Sequence, residues 1–176
     1  MCLASCQDPA LTADYGDTLV YMPQATHNLG VDNNLEVTIK LSDVTADPGK
    51  KSQTTLGIFR SGTAAKESFS VDLHVVADTL AAAKAMAAHA DAPAKYDIYK
   101  TAELLPENCY DALPGTLTVP EGKREATTQL VLHDKEIFDN FPIGQILCLP
   151  VRIDNPTKYT LNESLALTMV VVKLAE

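Results

Sequence analysis

Leu35-Glu36-Val37-Thr38-Ile39-Lys40-Leu41 alternates apolar and polar residues without a break. Because successive side chains of a β-strand point to opposite faces of a sheet, this period of two predicts a half-buried strand. Its four apolar residues are expected to face a core and its polar residues to face solvent.

The same alternation recurs on both sides of this segment, with turn residues between the repeats. The segment 68–77 alternates in the same way, and a loop around Asp47-Pro48-Gly49 precedes it. In chain order, the predicted strands are 18–22, 35–41, 55–60, 68–77, 115–120, 125–133, 143–153 and 165–174. About eight short strands at regular spacing predict an all-β fold, an immunoglobulin-like β-sandwich.

One segment breaks this pattern. Residues 79–90 are rich in alanine and place Leu80, Ala83, Met86 and Ala87 at helical spacing. Asp78 is a candidate N-cap, and Pro93 lies just beyond the end. The sequence therefore predicts one short crossover helix at about 79–90, passing from one sheet to the other and covering one end of the sandwich.

Composition excludes several classes of partner. The 176 residues carry a net charge of −9, whereas a nucleic-acid surface needs clustered Lys and Arg, as does adsorption to anionic lipid. No apolar run approaches the ~18 residues of a membrane span. The absence of Trp disfavours a strong glycan-binding surface, which commonly uses flat aromatic rings, although six Tyr and four Phe could still provide one.

The first residues resemble the lipobox of bacterial lipoproteins. Leu3-Ala4-Ser5 precedes Cys6, the position at which such precursors are cleaved and acylated. This predicts a signal-peptide remnant at 1–5, lipidation at Cys6, a linker over 6–17 and the sandwich domain over 18–176. The alternative is coincidence: if Met1 is the true start, the motif cannot act and the protein stays in the cytoplasm.

Two further cysteines, Cys109 and Cys148, lie within the predicted domain. They could form a disulfide in an oxidising compartment, or they could be two separate buried thiols. No pair of cysteines has the C-x-x-C spacing of zinc or redox sites, so no metal site and no cofactor are predicted.

A search for catalytic chemistry finds little. His27, His74, His89 and His133 stand alone, with His74 and His133 expected in solvent, and no hydrolase motif is present. The carboxylates of Asp134, Glu136 and Asp139 could serve a glycosidase or bind calcium. With Lys135 among them and no Gly-punctuated calcium loop, a solvated loop is the favoured interpretation, and the chain is predicted not to be an enzyme.

Several short motifs, taken in order, resemble a family of Bacteroidetes domains of unknown function. They are Val20-Tyr21-Met22-Pro23, Leu104-Leu105-Pro106 with Tyr110 following, Leu117-Thr118-Val119-Pro120-Glu121-Gly122, Leu149-Pro150-Val151-Arg152-Ile153 and Tyr159-Thr160-Leu161-Asn162-Glu163. Such domains stand at the N-terminus of surface lipoproteins from glycan-uptake loci and of some secreted endo-acetylglucosaminidases. The resemblance covers roughly residues 18–174.

The resemblance implies a β-sandwich in an outer-membrane lipoprotein and no catalytic residues. The expected function is a non-catalytic module of a lipid-anchored cell-surface protein, serving glycan capture as a spacer or a weak binding domain. Its partner would be a glycan or an outer-membrane protein, and its contact with the membrane would be only through the lipid. Members exported to the surface tend to carry several acidic residues after the lipidated cysteine, and here only Asp8 follows, so the periplasmic face stays open. The alternative function is an adhesin-like protein-interaction module.

Overall fold

The fold was examined in a computed structural model that describes residues 17–25, 34–62 and 67–176. The predicted signal-peptide remnant at 1–5 and the predicted linker at 6–17, apart from Asp17, lie outside these residues, and so does Cys6. Ten strands are present: β1 (Leu19–Tyr21), β2 (Leu35–Lys40), β3 (Gln53–Arg60), β4 (Phe69–Val75), β5 (Glu103–Leu104), β6 (Thr116–Val119), β7 (Glu125–Val131), β8 (Ile146–Asp154), β9 (Thr160–Leu161) and β10 (Leu167–Ala175).

The strands form two sheets. One sheet has the order β7-β3-β1-β9, and the other has the order β2-β10-β8-β4-β6, with β5 pairing beside β8. Most pairs are antiparallel, but β2 runs parallel to β10, β1 to β9 and β5 to β8. The inner faces of the two sheets enclose one apolar core, so the predicted all-β sandwich is confirmed.

The alternation of the sequence determines which residues enter this core. In β8, Leu147, Leu149, Val151 and Ile153 are all fully buried between the sheets. Val170, Val172 and Leu174 do the same from the neighbouring β10. The intervening residues Cys148 and Val171 face the other way, and they are buried as well.

Helices bury that second face. Helix α2 (Asp78–Ala87) and the short α3 (Asp97–Lys100) pack Leu80, Ala83 and Tyr99 onto Cys148 and its neighbours. The predicted helix is therefore present, but it connects two strands of the same sheet rather than passing between sheets. It forms a third layer because the outer face of β8 and β10 is apolar and has to be covered.

The structure has more helices than the one predicted. Helix α1 (Leu41–Ala46) begins where β2 stops, because Lys40 pairs with Ala175 at the end of β10 and no partner strand continues. Leu41 therefore starts a helix and is 38% exposed, in contrast to its predicted place in the core. Helix α4 (Asp134–Asn140) occupies the segment that was expected to be a solvated loop.

The start of α2 also differs from expectation. Ala77 is the N-cap residue and provides no side-chain hydrogen bond, while Asp78 is the first helical residue. A carboxylate in the first turn still faces the positive end of the helix dipole favourably. Pro93 begins a separate 3-10 turn over Ala94–Tyr96 instead of lying directly after the helix.

Candidate functional site

A cleft of about 860 Å³ lies beside β4. It opens where β4 ends and where the segment that follows β5 runs past it. The cleft is lined by Leu73, His74, Val75, Ala77, Leu104, Leu105, Pro106, Glu107, Tyr110, Ala112 and Leu113. Its size is within the range of ligand-binding pockets.

Aliphatic side chains form most of the cleft wall. Leu104 is among the few large apolar residues at the surface and is 39% exposed. Tyr110 is the only tyrosine, phenylalanine or tryptophan among the lining residues, and only 9% of it is exposed. Burial raises the pKa of its phenol, and the nearby Glu107 carboxylate raises it further. The ring is therefore a packed part of the wall rather than an open platform for a sugar.

A polar cluster borders the cleft on the outer face of the larger sheet. His74 Nε2 lies 3.2 Å from Asp154 Oδ2, across the β4–β8 pair. Arg152 Nε donates to the same carboxylate at 3.0 Å, and the Arg152 guanidinium also pairs with Glu163. His74 is exposed as predicted, but it is ion-paired when protonated rather than only solvated.

The other wall of the cleft is held by His133, which the sequence placed in solvent. Its Nδ1 lies 2.9 Å from the carbonyl oxygen of Asn108, and its Nε2 lies 2.6 Å from Asp111 Oδ1. The hydrogen bond from His133 lowers the pKa of the Asp111 carboxyl, and Lys51 lowers it further. Main-chain bonds reinforce the contact, because His133 N–H donates to Cys109 O and Asp111 N–H to Val131 O, both at 2.9 Å. The segment that forms the wall is thus fixed to the end of β7.

The three acidic candidates each have a structural partner. Asp134 is 1% exposed, and its two oxygens accept hydrogen bonds from the Ser52 N–H and from the Ser52 hydroxyl, both at 2.8 Å. Glu136 accepts from the side-chain amide of Asn108 at 2.9 Å. Asp139 pairs with Lys135 one helical turn away. Asp134 was predicted to be solvated and is instead buried, because α4 turns it towards the loop before β3.

A second, shallower hollow of about 440 Å³ adjoins these residues. Its cations are already engaged: Lys50 pairs with Asp43, Lys51 with Asp111 and Lys135 with Asp139. Together with the hydrogen bonds between Asp134 and Ser52, these ion pairs hold α1 and α4 against the loop that precedes β3. Their geometry gives this hollow a structural role.

Cys109 and Cys148 are buried and unbonded. Cys109 belongs to the core between the sheets, whereas Cys148 belongs to the layer under α2. Of the two alternatives, the structure has two separate thiols. Burial raises the pKa of the Cys148 thiol to about 12, with the nearby Lys84 opposing the shift.

Within residues 17–25, 34–62 and 67–176, no group of three or more His, Cys, Asp or Glu side chains is arranged to hold a metal ion. The same residues contain no helix of the length and apolarity that crossing a bilayer would require. His27 lies outside them, and His89 is exposed beyond the end of α2.

Sequence reasoning found the motif at Leu104-Leu105-Pro106 but not its role as a cleft wall. The wall depends on contacts between residues far apart in the chain, such as Tyr110 bridging to Leu132. Glu107 and His133 gave no periodic signal. The one available signal was the pair Leu104-Leu105 before Pro106, a pattern that is common in ordinary loops.

Comparison with known proteins gives a family. The model of a family described as an N-terminal domain matches residues 14–160. None of the curated proteins compared with the chain matches it. Similar solved structures share 12–18% sequence identity with the chain, so they show the fold alone.

Several of these structures come from Bacteroides species. A candidate carbohydrate-binding protein from Bacteroides ovatus has a TM-score of 0.59 at 12% identity, with 89% of this chain and 37% of that chain covered. A Bacteroides ovatus protein of unknown function has a TM-score of 0.56 at 18% identity, covering 89% and 46%. EndoBT-3987 of Bacteroides thetaiotaomicron, solved with a Man5GlcNAc product, has a TM-score of 0.56 at 17% identity, covering 81% and 29%.

The chain thus spans less than half the length of each of these proteins. The family model, in contrast, covers well over half of the 176 residues. The chain therefore belongs to this family of N-terminal domains, which confirms the family resemblance inferred from its sequence motifs.

Proposed function

We propose that the chain is a non-catalytic module of a lipid-anchored outer-membrane protein that handles glycans at the cell surface. Within that protein it would serve as a spacer or as a weak binding domain. The observation that carries the proposal is its family, an N-terminal domain. Two structures of the same fold, a candidate carbohydrate-binding protein and EndoBT-3987 with its Man5GlcNAc product, are much longer than this chain.

The state of the acidic residues supports a non-catalytic role. A glycosidase needs two carboxylates that are free to exchange protons with substrate. Asp134 instead accepts two hydrogen bonds from Ser52, and Glu136 accepts from Asn108. A substrate that bound either carboxylate would have to break the hydrogen bonds that attach α4 to its neighbours.

The cleft supports a spacer more than a strong glycan receptor. Sugars bind well where an exposed ring stacks on the apolar face of a pyranose. Tyr110 is mostly buried, and most of the other lining residues are aliphatic. Any glycan contact made here would be weak, with His74 and Glu107 as its polar groups.

One observation favours the alternative, a protein-interaction module. The cleft combines an exposed leucine, Leu104, with a strand edge on β4 that β6 covers only in part. Exposed apolar surface next to an open sheet edge is a common feature of protein contacts.

The anchor is tested by expressing the gene with its natural upstream region and labelling cells with a palmitate analogue. We expect the label in the unmodified protein and in Cys2→Ala, and its loss in Cys6→Ala. Treating intact cells with an added protease then distinguishes the cell surface from the periplasmic face, since only a protein at the surface would be cut. Absence of label in the unmodified protein would refute the lipid anchor.

The role is tested in the longer protein that carries the domain. Replacing the domain by an unrelated β-sandwich of similar size should preserve glycan uptake if it is a spacer. Deleting it without replacement should reduce uptake. If the replacement reduces uptake as much as the deletion does, the domain makes a specific contact with a partner. Titration of the domain with a high-mannose oligosaccharide would then show whether that partner is a glycan.

A further inference from the structure

The edge of β4 on the β6 side is paired for most of its length but is open at its end, beside the cleft. On one side β4 pairs with β8, and beyond the last paired residues Val76 N–H donates to Pro150 O at 3.0 Å. On the other side β6 pairs with β4 over Phe69 to Asp72, and Leu73 N–H donates to Gly115 O at 3.0 Å. Because strand residues alternate in the side to which their main-chain groups point, Val75 directs its N–H and C=O to the same side as Leu73.

That side of Val75 is the cleft. Pro114 lies just before Gly115 and cannot donate to a sheet ladder, so the chain leaves β4 at this point. Among the described residues, none provides a main-chain partner for Val75 on this side. An added extended segment would continue the line of β6 and meet these open groups.

The walls next to this edge are apolar. Leu104, which is 39% exposed, and the half-buried Leu113 both line the cleft. An extended segment places alternate side chains on opposite faces, so one apolar side chain would enter the cleft and its neighbours would point to the rim.

The rim is acidic. Glu107 lines the cleft, Asp78 follows the lining residue Ala77, and Glu103 precedes the lining residue Leu104. Within the described part of the chain, these three carboxylates have no ion pair, whereas Asp111 and Asp154 nearby are paired. Two cations come near this rim and both are engaged: Lys84 Nζ donates to Ala102 O at 3.0 Å, and Arg152 pairs with Asp154 and Glu163.

We infer that this cleft docks an extended peptide segment of a partner protein, in which an apolar side chain is flanked by Lys or Arg. The segment adds to the free edge of β4 at Val75, inserts its apolar side chain between Leu104 and Leu113, and places its cations beside Glu103 and Glu107. Main-chain pairing with side-chain pockets is an established mode of peptide recognition. The inference does not depend on a role in glycan handling.

Three labelled hexapeptides with blocked ends test this on the intact chain. The first alternates lysine and valine, the second alternates glutamate and valine, and the third is the lysine peptide with N-methyl groups along one edge. We expect fluorescence anisotropy to detect binding of the first at concentrations up to about 1 mM, and not of the other two. The amide NMR signals of Val75 and Leu104 should shift on binding.

Variants of the rim provide the comparison. The double variant Glu103→Gln/Glu107→Gln should weaken binding of the lysine peptide by at least about threefold at low salt, since each exposed pair contributes little. The matched control Asp91→Asn/Glu121→Gln removes two exposed charges that do not line the cleft and should leave binding unchanged.

Each other outcome overturns the inference. Equal weakening by both double variants would show non-specific attraction to an acidic protein. Undiminished binding of the N-methylated peptide would exclude strand addition. Absence of binding by any peptide would exclude the site. Shifts at Val75 caused by a high-mannose oligosaccharide but by no peptide would make the cleft a glycan site, in which case the proposed function would stand without this inference.

Discussion

Replacing Asp134 by alanine should destabilise the fold more than any other change in the acidic segment of α4. The carboxylate is 1% exposed and accepts two hydrogen bonds at 2.8 Å from Ser52, eighty-two positions earlier in the chain. These bonds attach the start of α4 to the residue just before β3.

The magnitude follows from the two bonds. A hydrogen bond to a charged group contributes about 1.5–3 kcal/mol, and a half-buried donor left without its partner adds to the loss. Because both bonds involve one pair of residues, their contributions are not additive. We expect Asp134→Ala to lower the free energy of unfolding by about 3 kcal/mol. Ser52→Ala keeps the main-chain donor and should cost about 1 kcal/mol.

Urea denaturation at pH 7, followed by circular dichroism, measures these values. Asp139→Ala is the matched control, because Asp139 lies on the same helix, is exposed and pairs only with Lys135. Its effect should stay within about 0.5 kcal/mol. A loss below about 1 kcal/mol for Asp134→Ala, or equal losses for the two aspartates, would refute the structural role assigned to Asp134.

Three further predictions concern other parts of the molecule. In a variant with Cys2 and Cys6 changed to serine, Cys148 should not react with Ellman's reagent at pH 8 until urea is added, because burial raises the pKa of its thiol to about 12. Rapid reaction of the folded protein would contradict the burial of Cys148. Ala83→Leu should lower the free energy of unfolding by about 1–3 kcal/mol, because the larger side chain overpacks the layer under α2. The control Ala82→Leu, on the exposed side of the same helix, should change it by less than about 0.5 kcal/mol. Equal effects of the two variants in thermal and urea denaturation would disprove the packing of α2. The folded-state pKa of Asp111 is lowered, chiefly by its hydrogen bond with His133. Its contribution to stability is therefore complete above its unfolded pKa of about 3.9 and is lost as the pH falls through the folded-state pKa. Asp111→Asn should reduce stability more at pH 6 than at pH 2, and a difference that grows on acidification would show the opposite linkage.

The alternation of the sequence was enough to predict the strands of the core. In β8 the apolar residues Leu147, Leu149 and Val151 recur every second position, and the structure buries all three between the sheets. This succeeds because the face of a strand residue depends only on its position in the strand. The same reasoning failed at Leu41, where the strand ends because its partner β10 ends.

Polar residues with a structural role were harder to predict. Asp134 was expected in a solvated loop, and His133 was expected in solvent at the end of a strand. Asp134 is instead buried, and His133 joins two segments through Asn108 and Asp111. Their partners lie from 22 to 82 residues away in the chain. No local sequence pattern predicts a contact between residues so far apart in the chain, because the segment between them can follow many paths.

The sequence by itself determined the all-β class, the inward faces of its main strands, the helix near residue 80 and the family. Each of these depends on local periodicity or on motifs that stay in order along the chain. Tertiary structure alone decided that α2 covers an outer sheet face, that Cys109 and Cys148 lie in separate layers, and that β4 ends beside an apolar cleft. These features arise when strands from distant parts of the chain pair, and the free energy that selects one pairing is a property of the whole core rather than of any segment.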